Sequence, residues 1–113
     1  KIKLWMTEQN YSEDMIAKTV KIAWESQRSE IPETMEGKIL HDAHVLEGGK
    51  TYLMVKTLIT GSVRGQSLPE TLDYMKKNVL DKNICYLPET IPLCNEMNKY
   101  TNDFFEELIK EVR

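Results

Sequence analysis

Near the end of the chain, Leu93, Met97, Tyr100, Phe104, Leu108 and Val112 recur at steps of three and four. That spacing lines one side of an α-helix and would scatter over both faces of a strand. The same period returns in Ile16, Val20, Ala23 and Trp24, in Ile39, Leu40, Ala43 and Leu46, and in Leu72, Met75 and Val79. Only Ile2, Leu4 and Met6 alternate as a strand would, and no other stretch offers them a partner. An isolated strand is unstable in water, so Lys1 to Asn10 reads as the end of a helix. The fold class is all-α, a helical bundle of about five helices.

Start and stop residues agree with this division. Ser12 caps one helix, with Glu13 and Asp14 in its first turn where the helix dipole favours negative charge. Trp24 on that helix is expected in the core. Thr34 caps the next, which ends at Gly48 and Gly49. Lys50 to Thr60 is apolar nearly all round, as expected of a helix buried on most sides. Gly61 to Gln66 reads as a loop carrying Arg64, and Ser67-Leu-Pro-Glu70 as a capping box with proline in the first turn. Asp81 to Glu89 is a polar connection broken by Pro88, after which Thr90 and Pro92 open the last helix. Glu106, Glu107, Lys110 and Glu111 lie on its solvated side.

At 113 residues the chain is read as a single all-α domain, 1–113. Its formal charge of -3, with no concentrated basic patch, argues against binding duplex nucleic acid. Cys85 and Cys94 lack metal or redox spacing, and neither a signal peptide nor a membrane-spanning apolar run is present. A cytoplasmic protein is expected, with no membrane association. The opening residues Ile2, Leu4, Trp5 and Met6 are unusually apolar for a free terminus, so the bundle is expected to be incomplete on its N-terminal side. The exposed apolar surface would then be covered by a missing half, a second copy or exchanged segments.

The chemistry concentrates in Glu36 to Gly49, EGKILHDAHVLEGG, which holds both histidines of the chain and Asp42 between them. On a regular helix Glu36 and Glu47 project within the apolar sector and Asp42 falls at its border. A carboxylate there needs a cation, a metal ion or a proton, because burying it unpaired costs several kcal/mol. At about 100° per residue Asp42 and His44 diverge by about 160°, whereas His41 and His44 are about 60° apart.

This segment resembles the one carrying the last metal-ligand aspartate in small bacterial enzymes of the HD-domain phosphohydrolase superfamily, typically EGKIVQDADRLDAIGA. The resemblance continues through LMVKTLITGSVRG, DYMKKNV and EMNKYTNDFFEELIKEV, and covers roughly Tyr11 to Val112. It implies an HD-like helical fold and a divalent metal, with Mn, Mg, Fe, Co or Ni all compatible. It also implies hydrolysis of a nucleotide or other small phosphoester, a metal-bound water being the nucleophile. Asp42 matches the metal-ligating, catalytic aspartate. Arg64 and Lys77 match basic positions able to touch a substrate phosphate, and His44 and Glu47 stand where the subgroup has two further aspartates. The other family ligands, a His followed by a His-Asp pair, have no counterpart ahead of Glu36, so this chain is expected to be the C-terminal part of such an enzyme and inactive by itself. The competing expectation is a non-catalytic helical module that binds a partner through the Tyr100 to Val112 stripe.

Overall fold

The computed structural model describes residues 1–112. It contains six α-helices and, among the described residues, no strand: α1 (Ile2–Glu8), α2 (Glu13–Glu25), α3 (Met35–Glu47), α4 (Thr51–Val63), α5 (Leu68–Asn78) and α6 (Ile91–Val112). The all-α expectation holds. The number is six because residues 2–8 form a short separate helix, ended by Asn10 at φ 61°.

The expected caps are made. Ser12 accepts from the Met15 amide and Thr34 from the Gly37 amide, and Ser67 and Glu70 form a reciprocal capping box. Each satisfies amides that a helix start leaves without an internal partner. Helix α4 runs three residues further than the sequence suggests, so the loop before α5 shrinks to 64–66. Gly61 is therefore helical, and it is there for contact: a Cβ at this position would overlap the Thr71 side chain of α5. Gly37 plays the same part between α3 and Glu25 of α2.

Two small apolar cores lie along α6. Phe105, in its C-terminal half, packs with Met54 of α4 and Leu72 and Met75 of α5, flanked by Leu58, Val79, Leu108 and Ile109. Cys94, in its first turns, packs with Val45 of α3 and Cys85 of the 79–90 connector. Burial pushes the Cys85 thiol up to about 12, helped by the Cys94 side chain beside it, which keeps it protonated at neutral pH. The α1–α2 pair packs onto α3, and the whole measures 58 × 34 × 19 Å.

Several expected core faces are turned outward. Trp24, placed in the core by its sequence, is 60% exposed, and Val20, Ile39 and Leu40 are also open to solvent. Helix α3 instead buries Gly37, His41, Asp42 and Val45, and α6 buries Cys94, Thr101 and Phe105. In α6 the buried line is displaced by one residue from the Leu93–Tyr100–Phe104 stripe, a rotation of about 100°. Periodicity identifies an apolar side but does not decide which of two adjacent apolar lines meets a neighbour. Helix α4 is likewise one-sided, burying Leu53, Met54 and Gly61 while Tyr52, Val55 and Ile59 remain exposed.

The close α4–α5 contact yields a test. Gly61→Ala would gain helix propensity but force a methyl against the β-branched Thr71, whose Cβ would lie 2.9 Å away. Overpacking outweighs propensity, so a net loss of about 1–2 kcal/mol is expected in urea unfolding, with partial recovery in Gly61→Ala/Thr71→Ala.

Candidate functional site

Asp42 is the most constrained polar group in the chain, with 0% exposure in the middle of α3. Its Oδ2 accepts from the Leu87 amide at 2.8 Å, from the Tyr86 amide at 3.0 Å and from the Thr90 hydroxyl, and its Oδ1 is also 3.0 Å from the Tyr86 amide. His41, 1% exposed, donates from Nδ1 to Oδ1 at 3.2 Å. The His41 ring also meets Tyr86 edge-on, with centroids 5.1 Å apart, and its Nε2 lies 3.4 Å from the Arg28 carbonyl. The connector leading into α6 is thus hung on one carboxylate. Burial pushes the Asp42 carboxyl up, but hydrogen bonds from Thr90, the Leu87 and Tyr86 amides and His41 outweigh it, leaving the group below its ordinary value.

The metal expectation can be tested on this donor set. The Asp42 oxygens face four donors, His41 spends Nδ1 on the same carboxylate, and His44 Nδ1 lies 3.2 Å from the Ser26 carbonyl. Among the described residues no three His, Cys, Asp or Glu side chains are grouped to hold a metal ion. As folded, these residues do not fit a metal centre at Asp42. A cation there would have to displace the donors that hold the connector.

The remaining expected site residues divide. His44, Glu47 and Arg64 line one cleft of about 510 Å³ bounded by α3, α4 and α5, whereas Lys77 is exposed on α5 outside that lining. Sequence reasoning missed Arg28, Tyr52, Lys56 and Tyr74, which line the same cleft. A signal was available: Tyr52, Lys56, Thr60 and Arg64 stand four apart along α4 and its C-cap, a polar edge on a helix read as apolar nearly all round. Arg28 comes from the α2–α3 connection and carried no such signal. Among the described residues, Arg28, Lys56 and Arg64 make no ion pair, so Glu47 is the one carboxylate in a lining with three cations. Such a cleft concentrates positive potential and favours an anion, even on a chain of formal charge -3.

No family model, curated protein or solved structure matches this chain. No described helix is long and apolar enough to cross a membrane.

Removing the Asp42 carboxylate should act first on the fold. Asp42→Ala strands the Tyr86 and Leu87 amides, while the Thr90 hydroxyl keeps the Leu87 carbonyl as acceptor, for an expected loss of about 2–5 kcal/mol in denaturant unfolding at pH 7. Because the folded pKa lies below the unfolded value of about 3.9, this stabilisation is complete above that value and disappears as pH falls through the folded one. The stability gap between wild type and Asp42→Ala should therefore be full at neutral pH and close under strongly acidic conditions. A gap independent of pH would contradict the charged carboxylate as its source.

Proposed function

We propose that this chain is the phosphate-recognising, C-terminal part of an HD-superfamily phosphohydrolase acting on a nucleotide or other small phosphoester. The observation that carries this reading is the cleft in which Arg28, Lys56 and Arg64, without carboxylate partners among the described residues, line the same walls as His44 and Glu47. Guanidinium groups match phosphate oxygens in pairs, and a Lys ammonium adds a mobile point charge. Thr60 supplies a hydroxyl on the same wall, and Tyr52 and Tyr74 offer flat surfaces for the organic part of an ester.

In this reading the chain binds and orients a phosphoester, and Asp42 fixes α3 against α6 so that the cleft wall keeps its shape. Because Asp42 is spent on the connector, a divalent ion would have to be held by residues other than these, where it would supply an activated water. Hydrolysis is accordingly expected of the parent protein only.

The test is a titration of the chain with inorganic phosphate and with adenosine monophosphate, followed by amide chemical shifts. Saturable shifts should map to residues 52–64, along α4 and its C-cap, and to the Arg28 connection. Arg28→Ala and Arg64→Ala should each weaken binding by about tenfold or more, the worth of a charge-assisted hydrogen bond, whereas Lys77→Ala should leave it unchanged. Absence of saturation, or equal effects of all three substitutions, would overturn the cleft as the phosphate site.

A second reading, a non-catalytic helical interaction module, draws on the outward-facing Trp5, Trp24, Tyr100 and Phe104. Large exposed aromatic side chains, here on α1–α2 and separately on α6, are characteristic of surfaces that meet a partner.

A further inference from the structure

The three cations of the cleft do not converge on one point. Arg28 Nη2 stands 3.7 Å from the place a Gly48 Cβ would take, at the turn between α3 and α4. Lys56 reaches back along α4, with its Nζ over the Tyr52 ring at 5.8 Å from the centroid. Arg64 is the C-cap of α4, and it lies about 12 Å beyond Lys56 along the helix axis. Thr51 to Arg64 is about 20 Å of α4, longer than one nucleotide spans. An inorganic phosphate reaches one end of this row or the other, so a ligand that engages all three cations carries negative charge in more than one place.

Two tyrosines stand between the cations. Tyr52, 61% exposed, is in the first turn of α4, between the Arg28 end and Lys56. Helices α4 and α5 run antiparallel from the 64–66 turn and touch where Gly61 meets Thr71. Tyr74, further along α5 and 44% exposed, therefore comes level with Leu58, between Lys56 and Arg64. Arg28, Tyr52, Lys56, Tyr74 and Arg64 thus alternate cation and aromatic ring along one cleft of about 510 Å³. A polyphosphate sets its charges side by side and offers the rings nothing. A single strand of nucleic acid alternates phosphate and base in the same order, whereas a duplex keeps its base faces inside its own stack.

We propose that the cleft binds a short single strand of nucleic acid, with a 5′-phosphorylated trinucleotide as the smallest ligand that engages the whole row. Its three phosphates meet Arg28, Lys56 and Arg64, and the two bases between them stack on Tyr52 and Tyr74. Glu47, the one carboxylate of the lining, opposes the strand at the Gly48 end, where its Oε1 is 3.9 Å from His44 Nε2. The proposal rests on the phosphate reading of this cleft and adds that several phosphates and the bases between them are recognised together. Inorganic phosphate alone then has two places, one governed by Arg28 and the other by Arg64.

Isothermal titration of the full chain with pdTpdTpdT, dTMP, inorganic phosphate and tripolyphosphate tests it. The trinucleotide should bind once per chain, about tenfold or more tighter than any of the others. Its affinity should fall with salt along a log–log slope of about -2, the sum for three neutralised phosphates of a single strand. Tyr52→Ala and Tyr74→Ala, both at exposed positions, should each weaken the trinucleotide by about tenfold or more, the worth of one stacked base, and leave inorganic phosphate unchanged. Glu47→Gln should tighten the trinucleotide. Running pUpUpU beside pdTpdTpdT separates ribose from deoxyribose strands, and either one that meets these criteria supports the proposal. Saturation by inorganic phosphate, with the trinucleotides no tighter than dTMP or tripolyphosphate, would overturn the single-strand proposal and leave the phosphate reading standing. Trinucleotide binding insensitive to both tyrosine changes would do the same. No saturation by any of these ligands would overturn both.

Discussion

One carboxylate holds the two halves of the bundle in register. Asp42 lies within α3, yet the groups it binds, the amides of Tyr86 and Leu87 and the Thr90 hydroxyl, belong to the segment that leads into α6. A charge without exposure is tolerated only where donors replace the water it has lost. Here those donors come from backbone that would otherwise lack partners of its own, so each side satisfies the other. Helix α6 then starts at a fixed place, with Cys94 against Val45 in one core and Phe105 against Met75 in the other.

The remaining contacts follow from how closely the helices approach. Gly37 lets α3 come down on Glu25 of α2, whose carboxylate accepts from the Thr34 hydroxyl and amide at the start of α3. Gly61 lets α4 meet Thr71 of α5. The α3–α4 turn at Gly49, with φ 57°, sets the angle at which α4 departs, and that angle opens the cleft lined by His44, Lys56 and Arg64. Fixing the scaffold and shaping the cleft are thus the work of the same few contacts.

Much of this fold is legible in the sequence because it is local. Ser12, Thr34 and Ser67 act within three residues of themselves, and their caps are as expected. Leu72, Met75 and Val79 face inward, as their spacing indicates. The boundary that fails is at Gly61, where glycine reads as a loop but serves a helix–helix contact. The site was partly legible: His44, Glu47 and Arg64 do come together, and the four-residue spacing from Tyr52 to Arg64 could have added Lys56. Arg28 could not be found, since its place beside Gly48 depends on how α2 lies across α3.

The sequence by itself determined the all-helical class and the caps of α2, α3 and α5, because these follow from the helical repeat and from hydrogen bonds a few residues long. Only the tertiary structure decided which apolar line of α3 and α6 is buried, that Asp42 is spent on two backbone amides 44 and 45 residues away and a hydroxyl 48 residues away, and that three cations share a cleft. The reason is geometric. A helix face about 100° wide has two edges, and the choice between them is made by the neighbour that arrives, not by the spacing along the chain.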